Sequence, residues 1–508
     1  LVSVLFEAAT RQPSAPAVRC GSRSWSYAEL ERDSSHLSRY FAQAGLKSGE
    51  RVAALAKNCG ELVVTFFACI KGGLIYTPLN FRYSAKEIVE VLSDCRASAV
   101  VASGEYMPML ESVRPALPLL RVLIGIDYGI GPWTGFAEAV SVTDADSPVA
   151  PEHNDLATLL YTSGTTGRPK GVMLGHKGLM HLASHAVRNW SKWGADDINL
   201  ITVPQFHVGG VVMLLVGMLA GGLTILHAGF DPTSVLRALN QDRITRMFLV
   251  PSMIHALLQT PECESTDFSS LRLLMYAASP MPRDVLQRAI DVMRCPMAHV
   301  YGMTETSGAI TFLGPEQHKG SLARRESCGR PLPGTQLRIV DSDGHDLPPG
   351  TVGQILIRTC QIMRGYFEQP SATTAALKDG WFYSGDVGEL DGEGYLYVRD
   401  RIKDMIISGG ENVYSTEVES VLLKHPAIVD AAVVGLPDGR FGEAVTAFVV
   451  ARSSSELNEE AVRTHVRGHL AGYKVPRRVF FTAVLQRNAA GKVLKEELRK
   501  TGALLGSA

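Results

Sequence analysis

The stretch Y-T-S-G-T-T-G-R-P-K-G, residues 161–171, follows the apolar run Leu156-Ala157-Thr158-Leu159-Leu160 and precedes a helix-like segment from Leu179 to Trp190. A strand, a loop of glycines and hydroxyls, then a helix folds backbone around phosphate: glycines permit close approach, bare N–H groups face the anion, and Lys170 adds charge. The spacing is not G-x-x-x-x-G-K-[S/T], because from Gly164 the order is T-T-G-R-P-K, with proline just before the lysine. A flexible Gly/Thr surface loop is the plainer alternative. Five hydroxyl residues and a lysine are more than a turn needs.

Around this loop the chain alternates short aliphatic runs with helical stretches. Val52 to Ala56, Ala99 to Ala102, Val122 to Ile126, Leu156 to Tyr161, Leu200 to Val203, Leu223 to Leu226, Met247 to Val250 and Leu271 to Ala277 read as buried strands. Glu61 to Ile70, Ala85 to Leu92, Leu179 to Trp190, Pro232 to Asn240, Ser252 to Leu258 and Pro282 to Met293 read as helices. The alternation predicts an α/β fold with parallel, doubly covered sheets. From about residue 310 to 402, short strands (Leu337 to Val340, Gln354 to Arg358, Tyr395 to Val398) between D-S-D-G, L-P-P-G and D-G-E-G turns predict a small β-rich subdomain. Beyond R-D-R-I-K-D (399–404) the pattern is strand (Met405 to Ser408), Gly-Gly loop, helix (Thr416 to Leu423), two strands (Ala431 to Gly435, Ala444 to Val450), helix (Glu459 to Leu470), strand (Val479 to Leu485) and helix (Lys492 to Lys500). This predicts a large domain over 1–402 and a small α+β domain over 403–508.

Size and composition agree with that division. At 508 residues the chain exceeds the ~250–300 at which single cores stop growing. Hydrophobic residues at 46%, charged residues at 20% and a formal net charge of −1 describe an ordinary soluble globular protein. Basic residues cluster no further than Arg324-Arg325 and Arg477-Arg478, so neither nucleic acid nor an anionic membrane is an expected partner. The eight cysteines form no C-x-x-C pair, which fits a reducing, cytoplasmic setting. The opening L-V-S-V-L-F-E-A-A-T-R reads as an amphipathic helix rather than a signal peptide. Val208 to Leu226 carries no charge, but Gly209, Gly210, Gly217, Gly221, Gly222 and Thr224 point to a buried helix turning into a buried strand rather than a membrane span.

Four later stretches join the loop: Y-G-M-T-E (301–305), F-Y-S-G-D (382–386), R-D-R-I-K-D (399–404) and R-N-A-A-G-K (487–492). Together, and in this order, they resemble the adenylate-forming superfamily of acyl-CoA synthetases, aryl-CoA ligases, luciferases and peptide-synthetase adenylation domains. The likeness covers nearly the whole chain. It implies a reaction in which ATP and a carboxylate give acyl-AMP and pyrophosphate, after which a thiol displaces AMP. Charge spread over phosphate oxygens calls for cations and N–H donors.

The resemblance assigns Thr162, Ser163, Gly164, Thr165, Thr166, Gly167 and Lys170 to the β- and γ-phosphates. Tyr301, Gly302, Met303 and Thr304 fall at adenine and the α-phosphate, with Glu305 and Thr162 as Mg²⁺ ligands. Asp386 matches a ribose-binding aspartate, Arg401 a ribose or phosphate contact, and Lys492 the C-terminal lysine that neutralises charge during adenylation. Lys403 falls at the hinge between adenylating and thioester-forming poses, and Gly409 and Gly410 at the passage for the pantetheine arm of coenzyme A. Taken alone, Tyr301 is a packing residue, Asp386 and Arg401 a turn and a surface charge, and Lys492 an exposed lysine at a helix start.

For the acid, the resemblance places His207 at the mouth of the acyl tunnel, with Val208, Gly209, Gly210, Met213, Ala277, Ala278, Ser279, Gly308 and Ala309 along its wall. The competing reading of His207 is a cap for the following helix. Small lining residues imply a bulky apolar acid. Phe206-His207-Val208 holds no carboxylate for a substrate ammonium, which argues against an α-amino acid. Fatty, aryl and alicyclic acids remain, with coenzyme A or an acyl-carrier protein as acceptor and a monomer or homodimer as the assembly. The sequence departs from the superfamily's pattern at Gly175, where Thr is usual before His176, at Ala277-Ala278-Ser279, where a Gly-rich turn is usual, and at Gln486, where proline is usual before Arg487.

Overall fold

The structure is a computed structural model that describes residues 1–141, 156–162, 169–279, 281–452, 457–487 and 493–505. Backbone packing divides the chain into two compact units, Leu1–Gln336 with Arg358–Phe382, and Leu337–Ile357 with Tyr383–Ala508. The expected boundary at Lys403 falls inside the second unit.

The first unit holds two large sheets. In the nine-stranded one, Met297–Met303, Leu273–Tyr276, Arg246–Leu249, Ile198–Ile201, Leu223–Leu226 and Pro16–Cys20 run parallel side by side. Antiparallel strands close both edges: Arg23–Ser26 at one, and Gly308–Leu313 followed by Arg330–Pro331 at the other. The eight-stranded sheet runs Gly365–Tyr366, Lys170–Gly175, Leu156–Thr162, Ile75–Pro78, Arg51–Leu55, Ala97–Ala102, Val122–Gly125, Thr134–Gly135. Its central strands are buried on both faces, as their unbroken aliphatic sequences require.

The strand–loop–helix reading of residues 161–171 needs one correction. Lys170–Gly175 is itself a strand, antiparallel to Leu156–Thr162 with Thr162 opposite Lys170. The helix starts only at His176, so Lys170 sits on a strand rather than at a helix entry. Val172 and Leu174 are buried, and a run this short gives no clear alternation in sequence. Gly175 is the N-cap of His176–Asn189 and has no side chain to cap with, unlike the usual threonine. The apolar stretch from Val208 resolves into a 13-residue helix, Val208–Ala220, and the strand Leu223–Leu226. Among the described residues no helix is long and apolar enough to cross a membrane.

Two smaller sheets are formed mostly by residues of the second unit. Gln336–Val340, Gly353–Arg358, Trp381–Leu390 and Leu396–Arg401 share one, the last two strands antiparallel. Ile406–Ser408, Glu411–Val413, Ile428–Asp438 and Gly442–Ala451 share the other, with Arg478–Phe481 added parallel to Gly442–Ala451. Helices Ser415–Leu422 and Glu459–Arg467 pack on it through Val418, Leu422, Val462 and Val466. The strand expected through Leu485 ends at Phe481, and the last helix begins at Lys495. Trp381–Leu390 and Glu411–Val413 were not anticipated as strands: the first mixes glycine and charge, and the second is too short to show a period.

Candidate active site

In the first unit the strand bearing Lys170 lies beside the turn that follows Met297–Met303. Gly302 is where the structure allows no side chain, since a Cβ there would stand 2.0 Å from the carbonyl oxygen of Gly308 on the neighbouring strand. The chain then turns through Thr304-Glu305-Thr306, and Thr306 fixes the turn by accepting from the Met303 amide at 3.0 Å and donating to the Gly308 carbonyl at 2.6 Å. Gln361, fully buried, braces the same turn by donating to Thr306 O at 3.3 Å and Ala309 O at 2.9 Å.

Glu305 leaves this turn toward the strand Gly365–Tyr366. Its carbonyl accepts from the Met363 amide at 2.8 Å, and its Oε1 accepts from the Tyr366 hydroxyl at 3.0 Å. Lys170 Nζ stands 4.9 Å from the centroid of the same Tyr366 ring. Burial, with the Glu305 charge beside it, pushes the Tyr366 phenol up from its ordinary range, so it stays a donor. Lys170 and Glu305, assigned separately from sequence, are therefore joined by a tyrosine and belong to one cluster. Sequence reasoning passed over Tyr366 and Gln361: a two-residue strand and a lone glutamine carry no periodic signal.

Glu305 Oε2, the Thr162 hydroxyl and the Thr304 hydroxyl are oxygen donors, the kind a hard divalent cation prefers. Thr162 also lies opposite Lys170 on the paired strand. In donor chemistry, oxygen rather than nitrogen or sulfur, these residues fit Mg²⁺. The loop residues Ser163, Gly164, Thr165, Thr166 and Gly167, and likewise Lys492, lie outside the described residues.

Of the candidate acyl wall, Val208 and Gly308 come together. The φ of +115° at Gly308 favours glycine, and a Cβ there would meet Leu182 Cδ2 at 2.7 Å, Val212 Cγ2 at 3.4 Å and Val208 Cγ2 at 4.0 Å. Val208 and Gly308 are thus together, joined by Leu182 and Val212. Val212 could have been found from sequence, since it lies one turn from Val208 on the same helix, whereas Leu182 comes from the separate helix His176–Asn189 and carries no such signal. Met213 is buried on the same helix as Val208, and Gly209 faces the Phe248 ring. His207 is the N-cap of that helix but makes no capping hydrogen bond with its side chain; its ring lies 4.4 Å from that of Phe206. Ala277 is buried at the end of Leu273–Tyr276, while Ala278 and Ser279 are exposed. Ala278 has φ +77°, a left-handed conformation that the usual glycine would adopt without strain.

In the second unit Asp386 and Arg401 sit directly opposite each other on antiparallel strands, with Nε 3.4 Å from Oδ1. Asp386 is buried, and Ser384 Oγ accepts from its amide at 3.0 Å. The carbonyl of Lys403 and the carboxylate of Asp404 both accept from Arg499 at 2.9 Å. Gly409 and Gly410, at φ +64° and +85°, form the two-residue turn between Ile406–Ser408 and Glu411–Val413, a hairpin geometry that demands positive φ at both positions. The Phe441 carbonyl accepts from the Gly409 amide at 2.7 Å, and Arg477 covers the Phe441 ring at 3.4 Å. Lys474 pairs with both oxygens of Glu417.

Comparison with known proteins agrees with this layout. A family model for AMP-binding enzymes matches residues 5–367, and one for the AMP-binding enzyme C-terminal domain matches residues 417–492. The chain belongs to the AMP-binding enzyme family. It is 38% identical to a feruloyl-CoA synthase of Amycolatopsis sp, over 97% of each chain. It is 35% identical to a fatty acid–[acyl-carrier-protein] ligase of Streptomyces coeruleorubidus, over 97% of this chain and 94% of the relative. Its fold is similar to that of the o-succinylbenzoate CoA synthetase of Bacillus subtilis in complex with its acyl-adenylate intermediate, with a TM-score of 0.87, 30% identity and coverage of 98% and 97%.

Proposed function

We propose that this chain activates a bulky apolar carboxylic acid as its acyl-AMP and passes the acyl group to coenzyme A. The reaction class is that of an AMP-forming acid–thiol ligase using ATP, Mg²⁺ and coenzyme A. The observation that carries the first step is the Lys170, Tyr366 and Glu305 cluster next to Tyr301-Gly302, where an ammonium and a carboxylate stand ready for phosphate and its cation. In this reading Lys170 faces the β- and γ-phosphates, Glu305 and Thr162 hold Mg²⁺, and Asp386 and Arg401 take the ribose hydroxyls. Lys492 supplies positive charge during adenylation. The hinge at Lys403 then exchanges poses, with pantetheine passing Gly409 and Gly410.

Support for an apolar acid comes from the wall itself: Leu182, Val208, Val212 and Gly308 offer no charge to a polar tail. We place the enzyme in the cytoplasm, where its eight free cysteines would stay reduced. The test is a pyrophosphate-release screen over fatty, benzoic, cinnamic and polycyclic acids, with and without coenzyme A. Release stimulated by one apolar acid and completed by coenzyme A is the expected result; release that no acid stimulates would reject the reading.

A second acceptor is favoured by the carrier-protein ligase among the relatives. Offering preformed acyl-AMP to coenzyme A and to an acyl-carrier protein separates the two. Lys492→Ala should abolish acyl-AMP formation while leaving thioester formation from supplied acyl-AMP. Equal loss of both steps would remove Lys492 from its role.

A further inference from the structure

Tyr366 joins two groups of opposite charge. Its hydroxyl donates to Glu305 Oε1 at 3.0 Å, and its ring faces Lys170 Nζ at 4.9 Å. The ring is nearly buried and its backbone is pinned on both sides. Tyr366 pairs with Val172 on the strand that carries Lys170, and Thr373 Oγ1 accepts from its amide at 2.9 Å. Three residues earlier, Met363 donates its amide to the carbonyl of Glu305 at 2.8 Å. The segment from Met363 to Tyr366 thus grips Glu305 by backbone and side chain together.

The chemistry of this arrangement differs from that of an ordinary ion pair. A lysine and a glutamate this close to one site could collapse onto each other, each neutralising the charge the other should offer a ligand. Here the ammonium meets a ring face and the carboxylate meets a hydroxyl, and the two form no direct ion pair among the described residues. The phenol engages one carboxylate oxygen through a charge-assisted hydrogen bond and leaves Oε2 for another partner. The ring holds the ammonium by a cation–π contact, which a phosphate can outcompete.

We infer that Tyr366 is a positioning residue for the metal-bound nucleotide, a rigid spacer that keeps the cation-holding carboxylate and the phosphate-facing ammonium apart and aimed. The inference rests on the AMP-binding reading of the site. It predicts a division between two variants. Tyr366→Phe keeps the ring and loses the hydroxyl, so only the carboxylate is released; Tyr366→Leu loses both and lets Lys170 fall toward Glu305.

Calorimetric titration with ATP, once with Mg²⁺ and once in EDTA, reads this directly without turnover. Tyr366→Phe should weaken binding of Mg·ATP by about tenfold and leave binding of ATP in EDTA unchanged. Tyr366→Leu should weaken both. A Tyr366→Phe protein that binds Mg·ATP as the wild type does, or that loses both forms equally, overturns the inference while the enzyme reading stands. A wild type that binds neither form, and releases no pyrophosphate with any acid, sinks the reading and the inference together. Thermal unfolding of each variant accompanies the titration; should Tyr366→Leu fail to fold, the Tyr366→Phe comparison alone decides.

Discussion

Ser415 gives both its amide and its hydroxyl to one carboxylate oxygen of Asp400, at 2.6 and 2.7 Å. The hydroxyl in turn accepts from Lys495 Nζ at 2.6 Å, and that ammonium pairs with Glu419 at 2.7 Å. Ser415 and Asp400 are buried. Burial pushes the Glu419 carboxyl up, against the pull of Lys495. One polar relay therefore ties the strand that ends beside Lys403 to the helix Lys495–Leu505. Its middle link is a single hydroxyl.

Ser415→Ala should accordingly destabilise the second unit by about 1–3 kcal/mol, because it leaves a buried carboxylate short of a donor and a lysine short of an acceptor. Urea unfolding, with amide exchange of the Ser415–Leu422 helix as a local reporter, measures the loss. A change within experimental scatter would show that water replaces the hydroxyl.

A second buried charge group holds the nine-stranded sheet. Arg246 and Asp197 are each 1% exposed and meet at 2.9 Å, with Thr245 Oγ1 and the Gly194 amide donating to the same carboxylate and the Trp193 ring under the guanidinium. Removing one partner strands the other. Asp197→Ala should cost about 3–5 kcal/mol, whereas breaking an exposed, solvent-screened pair such as Arg243 with Asp267 should cost far less on the same treatment. Comparable losses for the two variants in denaturant titrations would contradict the burial argument.

These buried groups mark where sequence reading stopped. The α/β layering was legible because Val52, Ala99, Leu156 and Met247 each open a short aliphatic run, and helices fill the gaps between them. The cluster at Lys170 and Glu305 was legible only as two motifs, since the group that joins them, Tyr366, lies some two hundred residues from one and sixty from the other. Asp386 and Arg401 were named without any hint that they face each other, because Trp381–Leu390 mixes glycines and charges and shows no strand period. Lys170–Gly175 was missed for the opposite reason: its apolar run is too short to distinguish strand from helix entry. Periodicity reveals layers; it does not reveal which side chains cross between them.

The Gly302 contact gives a prediction at the nucleotide site itself. A methyl group there would press on the backbone of Gly308, which cannot move as a side-chain end would. Gly302→Ala should therefore lower nucleotide affinity by at least tenfold, through displacement of Tyr301 and Glu305, with loss of stability of about 1–3 kcal/mol. Gly410, whose Cβ position is open, is the control for space, although its positive φ still penalises alanine. Nucleotide titration of Gly302→Ala at wild-type affinity would show that the two strands part without disturbing the turn.

The stack of His299 on Tyr276 sets a pH dependence. The two rings lie 4.7 Å apart and nearly parallel, and the His299 Nδ1–H donates to the Ser327 carbonyl at 3.1 Å. Burial lowers the imidazole to about 4 from its ordinary 6.5, so the folded state holds it neutral. A depressed histidine stabilises the fold above its unfolded value, and that stability is lost as pH falls through 6.5 toward 4, because the unfolded chain takes up the proton first. Between pH 7 and pH 5 this one group should withdraw about 2 kcal/mol of unfolding free energy. His318 is also lowered by burial and adds in the same direction. His299→Gln should be less stable than wild type at pH 7 yet lose less on acidification. Urea titrations of both proteins at the two pH values check the difference, and equal losses would mean that His299 is protonated in the folded state.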